Sequence, residues 1–173
     1  MRFYEAFDLE PALSLDTEEL KKRFYERSRQ WHPDRFGRAG AREQQKALEM
    51  TAVLNDAFRT LRDPAARAEY FLEEKGAGWA KAAPVKELLN EVFELNMALE
   101  ELRDGDDSVR PQLMEARERF IGMQAEVDQL LADAFSRYDA SKDEAILVEI
   151  STVLHRRNYI RNLIRDVENV LPN

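Results

Sequence analysis

Cysteine is absent from all 173 residues. Its absence excludes a disulfide framework, a thiolate metal site and a catalytic thiol. Histidine occurs only twice, as His32 and His155, so no metal site built by this chain alone is expected. Glycine and proline number six each, too few for a turn-rich sheet protein. With 44% hydrophobic and 35% charged residues, the composition predicts a folded, nearly all-α chain. No apolar run approaches the roughly 20 residues that a helical membrane span requires. Glu5 and Asp8 sit where a signal peptide needs an apolar core and a transit peptide avoids acids. The expectation is therefore a soluble, cytoplasmic protein with no membrane partner. A formal net charge of −8 also argues against nucleic acid, whose affinity comes largely from Lys and Arg neutralising phosphates. A phosphate-cradling glycine loop, a nucleophile elbow and a helical His-Glu-x-x-His are all missing. Neither catalysis by this chain nor a bound cofactor is expected.

What is present is helical periodicity. Asp16 and Glu19 have the spacing of a capping box, and Leu20, Phe24, Ser28 and Trp31 repeat along one helix face as far as Pro33. Proline disfavours helix at the residue before it, so a helix over 17–31 should stop at His32. Gly37 and Gly40 extend the break into a loop. A second long helix starts near Arg42, with Ala47, Met50, Leu54, Ala57 and Leu61 in one stripe. Asp63-Pro64 then supplies an N-cap and a first-turn proline for a helix reaching Glu74. A short helix around Phe3 to Phe7 completes the first module, 1–74.

The small residues, glycines and proline of 75–84 mark a linker. Beyond it, 85–173 reads as a three-helix antiparallel bundle: Val85 to Arg103, Ser108 to Tyr138 and Ser141 to Leu171. Ser141 and Glu144 form a second capping-box pattern, and Asp139-Ala140 is the expected turn. The middle seam is Leu113, Ala116, Phe120, Met123, Val127, Leu130 and Ala134. The last seam runs from Ile146 to Leu171 and is interrupted at Arg157.

His32-Pro33-Asp34 is weak evidence by itself; its surroundings carry more. A basic helix with Lys22, Arg23, Arg27 and Arg29 precedes it, and a long helix follows, ending in Leu61-Arg62-Asp63-Pro64-Ala65-Ala66-Arg67-Ala68-Glu69-Tyr70. This combination resembles the J-domain family, a helical hairpin closed by a His-Pro-Asp loop. The resemblance implies that the loop and the basic helix dock on a DnaK-type chaperone and provoke its ATP hydrolysis. Lys22, Arg23, Arg27 and Arg29 would meet an acidic patch, Asp34 would pair with a cation, and Pro33 would fix the loop.

Phe3-Tyr4-Glu5-Ala6-Phe7, His32-Pro33-Asp34-Arg35-Phe36, Asn55-Asp56-Ala57-Phe58-Arg59-Thr60-Leu61 and the bundle that follows resemble the HscB, or Jac-type, branch of that family. This resemblance implies partnership with an HscA-type chaperone and with the iron-sulfur scaffold protein IscU. It places scaffold binding on Leu89, Phe93, Glu94, Glu101 and Tyr159. Independently, Leu89, Phe93 and Met97 form a second apolar stripe beside the seam of their helix, more apolar surface than one seam needs. They either widen the core or bind a partner. Asn90 and Met97 depart from the branch, standing where it carries an apolar and an acidic residue. Two other readings remain at this level: a J-domain protein for another client, and a helical adapter unconnected with chaperones.

Overall fold

The computed structural model describes residues 1–77 and 88–171, and among them there is helix but no strand. Seven α-helices follow in order: α1 Arg2–Glu5, α2 Thr17–Trp31, α3 Ala41–Arg62, α4 Pro64–Glu74, α5 Leu89–Arg103, α6 Arg110–Ser141 and α7 Glu144–Glu168. A 3-10 turn covers Pro33–Phe36, and another, Asp107–Val109, leads into α6. The chain divides into two compact units. One holds the residues up to 77 together with Phe135–Asp143; the other holds the remainder of α6 with α5 and α7. Most of the linker expected at 75–84, and the expected start of α5 at Val85, lie outside the described residues.

In the N-terminal unit, local chemistry sets the helix limits. Asp16 Oδ1 accepts from the backbone N–H of Glu18 at 2.9 Å and of Glu19 at 3.1 Å, satisfying two donors the first turn leaves open. Only this half of the expected box forms, because Glu19 turns its carboxylate to Arg23 Nε at 2.8 Å. Asp63 caps α4 through the Ala66 N–H at 2.7 Å, with Pro64 in the first turn. Tyr4, Phe7, Leu20, Leu54, Leu61, Phe71 and Leu72 are almost wholly buried, each contributing about 1.5–3 kcal/mol of transfer free energy. Phe24 stacks on Phe58 with centroids 4.3 Å apart, tying α2 to α3.

The last turns of α6, assigned to the bundle on sequence grounds, complete this same core. Phe135 and Tyr138 are buried, and Tyr138 meets Phe71 edge to face at 5.5 Å. Asp139 accepts from the N–H of Leu13 at 3.1 Å and of Ser14 at 2.6 Å. Beside them lies Arg67, 4% exposed, whose Nε donates to the Leu13 carbonyl at 2.8 Å and Nη1 to the Leu61 carbonyl at 2.6 Å. Its guanidinium also sits 6.0 Å from the Phe135 ring. Burial pushes the Arg67 pKa down, opposed by Tyr4, Asp63 and Asp139, and pushes the Tyr4 hydroxyl up.

The second unit buries Leu88, Leu95, Leu99, Leu113, Phe120, Val127, Ile160, Ile164 and Val167 in one cluster, much as the seams predict. Three expectations need correction. Leu130 is exposed and Leu131 takes the core position. Steps of three and four track the facing helix only for a few turns; an α-helix of 3.6 residues per turn drifts roughly 20° per heptad, so two successive steps of four, Val127 and Leu131 after Met123, restore the seam. Next, α6 does not turn at Asp139-Ala140 but continues to Ser141. The break falls at Lys142, whose φ of 57° is left-handed and whose N–H closes on the Tyr138 carbonyl at 2.7 Å, the geometry of a helix C-cap. Finally, Ser141 finishes α6 rather than opening α7: its Oγ donates to the Arg137 carbonyl at 2.9 Å and accepts from the Asp143 N–H at 3.2 Å. The interruption at Arg157 is met by Asp128 of α6, 2.5 Å from its Nε.

Candidate functional sites

Helix α2 has two working faces. Lys22, Tyr25, Arg29 and His32 follow one another at steps of three and four, which puts them on one side of the helix. Tyr25, Ser28, Arg29, His32 and Arg35 line a shallow depression there. Tyr25 is exposed although large and apolar, and Arg35 reaches back to donate to the Arg29 carbonyl at 3.3 Å. The sequence reading missed Tyr25 and Arg35 as members of this face. The helical spacing from Tyr25 to Arg29 and His32 was the signal that could have found the former.

Arg23 and Arg27 occupy the other side. Arg23 Nη1 donates to the carbonyls of Phe7 at 2.9 Å and Asp8 at 2.7 Å, and Arg27 pairs with the Asp8 carboxylate. Asp8 has φ 49°, a left-handed conformation that costs a non-glycine residue roughly 1–2 kcal/mol. The two arginines hold the segment after α1 in that conformation. Of the four expected docking cations, the structure thus gathers Lys22 and Arg29 beside the turn and engages Arg23 and Arg27 internally.

The His-Pro-Asp residues form a short 3-10 turn rather than an open loop. His32 ends α2 in extended conformation, φ −60° and ψ 129°, as the following proline requires. Its Nδ1 accepts from the Asp34 N–H at 3.3 Å, making His32 the N-cap of the turn. Pro33 occupies the first turn. The side chains of His32 and Asp34 are 58% and 90% exposed, so both imidazole and carboxylate are presented to a partner. The turn is held from its flanks: Trp31 stacks on Phe36 with centroids 5.9 Å apart and planes 9° apart, and Lys46 Nζ lies 5.4 Å from the Trp31 ring centroid. Contacts of these kinds contribute about 0.5–1.5 and 0.5–1 kcal/mol respectively.

In the second unit, α5 buries Leu95, Ala98 and Leu99 and turns another row outward. Leu89, Phe93 and Met97 are 55%, 67% and 45% exposed. Steps of four place them in one stripe, and Glu94 and Glu101 are exposed on the same helix. The stripe does not widen the core. Tyr159 on α7 is different: it is half buried and packs against the bundle core. Among the described residues, no group of three or more His, Cys, Asp or Glu is arranged to hold a metal ion. No described helix is long and apolar enough to cross a membrane.

Residues 2–70 match the DnaJ domain family. A co-chaperone protein HscB homolog of Shewanella baltica is 36% identical over 152 residues, 85% of this chain and 84% of that one. The corresponding protein of Shewanella loihica is 38% identical over 110 residues, 62% of this chain and 64% of that one. Among solved structures, chaperone HscB from Vibrio cholerae is similar with a TM-score of 0.71 and 28% identity, covering 98% of this chain and 97% of that one. Human co-chaperone protein HscB, at 22% identity and TM-score 0.74 over 96% of this chain and 80% of that one, shares the fold.

Proposed function

We propose, on the premise that this chain belongs to the HscB family of J-domain co-chaperones, that it stimulates the ATPase of a DnaK/HscA-type chaperone and delivers an IscU-type iron-sulfur scaffold protein to it. Cluster transfer and the maturation of iron-sulfur proteins would be served by that delivery. The observation that carries the proposal is the outward presentation of His32 and Asp34 on a short, proline-fixed turn at the end of the Lys22, Tyr25, Arg29 face. An exposed carboxylate and two exposed cations, Arg29 and Lys22, the latter 3.9 Å from Glu19 on its own helix, suit a polar surface on the chaperone, where complementary charge speeds encounter and fixes orientation. The chain contributes no bond-making group in this reading. It shifts the chaperone toward its hydrolysing state by binding that state better, and the chemistry stays in the chaperone.

The scaffold-binding part rests on Leu89, Phe93 and Met97, a solvent-facing apolar stripe with Glu94 and Glu101 on the same helix. A helix face of this kind supplies an apolar anchor row and an acidic rim. Tyr159 would contribute from a half-buried position at the core's edge. No nucleic acid, membrane or cofactor enters the mechanism.

The test is the steady-state ATPase rate of a DnaK-type chaperone with this protein or its His32→Gln variant, each with and without scaffold protein. The natural protein should stimulate, the variant should lose at least roughly tenfold in effect, about 1.4 kcal/mol of coupling, and the scaffold should add synergy. Stimulation without any scaffold effect would leave the chaperone partner and remove the proposed client. Equal behaviour of protein and variant would overturn the reading altogether.

A further inference from the structure

Nothing in the His32-Pro33-Asp34 turn is buried, yet a docking element must keep one shape to bind well. Inside the motif the Asp34 N–H caps the turn on His32 Nδ1 at 3.3 Å; the contacts that brace it against the rest of the unit come from outside the motif. Trp31 and Phe36 bracket the turn in sequence, and their parallel stacking at 5.9 Å closes the chain across it. Lys46 of α3 places its ammonium over the Trp31 ring at 5.4 Å. Thr51 Oγ, also on α3, lies 3.2 Å from the Trp31 carbonyl and 2.8 Å from that of Ala47. Trp31 and Phe36 are half buried, whereas Lys46 is exposed and makes no packing contribution to the core.

We infer that Phe36 and Lys46 are positioning residues for chaperone docking: with Trp31 they form a clasp that holds the His32-Pro33-Asp34 turn in its docking shape against α3. The inference rests on the co-chaperone reading above and adds residues outside the motif and the basic helix. Phe36 and Lys46 act through Trp31. Loosening the clasp lowers the fraction of molecules whose turn is competent, and apparent affinity falls by that fraction while the bound complex is unchanged. The signature is a shifted titration with an unchanged plateau.

The experiment titrates a DnaK-type chaperone with the full chain, following ATPase rate, for the natural protein and for Phe36→Ala, Phe36→Tyr, Lys46→Met, Lys46→Arg and His32→Gln. Phe36→Ala and Lys46→Met should raise the half-maximal concentration roughly threefold to tenfold and keep the plateau within about twofold. Phe36→Tyr and Lys46→Arg, which keep a ring and a cation, should restore it. In a Trp79→Phe background Trp31 is the single tryptophan. There, without chaperone, both weakening variants should make Trp31 fluorescence more accessible to acrylamide; a lysine acting only by touching the chaperone would leave it unmoved. Should Phe36→Ala unfold the module, Lys46→Met, at an exposed position, still decides. Natural titration and quenching in both weakening variants, beside an inactive His32→Gln, overturn the clasp alone. Absence of stimulation by the natural protein overturns the co-chaperone reading and the clasp with it.

Discussion

The turn of the N-terminal unit and the stripe of the C-terminal unit present themselves by opposite means. The stripe is three apolar side chains on an uninterrupted helix, Leu89, Phe93 and Met97, whose spacing follows from the helix repeat and whose neighbours Leu95, Ala98 and Leu99 are buried on the opposite side. The turn is four polar or constrained residues, His32 to Arg35, whose conformation depends on rings, a cation and a hydroxyl beside them: Trp31, Phe36, Lys46 and Thr51. A surface of the first kind depends on the area it can bury. A surface of the second kind depends on shape, so residues that never touch a partner control it.

The largest expected break in that contrast comes from Arg67. Arg67→Ala leaves the Leu13 and Leu61 carbonyls unpaired in the N-terminal core and should destabilise that unit by about 2–4 kcal/mol. Urea unfolding with amide exchange read at α4 checks this. Scaffold binding by the stripe should persist where the N-terminal unit has lost protection, and a loss below about 1 kcal/mol would show that the buried guanidinium is not the anchor described.

Phe93→Ala sharpens the contrast from the other side. At an exposed position it should change folding stability by no more than about 0.5 kcal/mol while weakening scaffold binding by about 2 kcal/mol, the scale of an interface hot spot. Calorimetric titration and a thermal melt measure the two. Equal loss in both would mean that the ring serves the core instead of a partner.

Arg23→Ala gives the smallest effect. It removes donors to the Phe7 and Asp8 carbonyls and should cost about 1 kcal/mol of N-terminal stability, whereas Lys22→Ala should cost almost none and instead slow association with the chaperone at low salt. Stopped-flow binding at two ionic strengths beside a melt of each variant separates them. If Arg23→Ala proves stable but slow to associate, the assignment of the two helix faces is reversed.

Much of the fold was legible in the residues because the decisive interactions are short in sequence. Asp16 and Asp63 cap the helices they precede, Pro33 stops α2, and Gly105, with φ 98°, makes the turn after α5 before Asp106 caps the entry to α6. The candidate site was legible to the same depth: the motif and the apolar stripe were visible, since each is a run or a repeat.

Side-chain allegiance was not. Lys22, Arg23, Arg27 and Arg29 are equivalent as members of a basic helix, and their division into an internal pair and an outward pair required Asp8 and two carbonyls 15–19 residues away. Leu130 and Leu131 are equally apolar; the position of the facing helices chose between them. Nor does any local pattern announce that Asp139 holds the backbone of Leu13 and Ser14. By itself the sequence determined both limits of α2, the start of α4, which stripes are apolar and where the motif lies, because caps, proline and the 3.6-residue repeat act within a few residues. Only the tertiary structure decided which arginines are engaged, which leucine is buried and which rings brace the turn, because those energies arise between groups that the chain brings together only on folding.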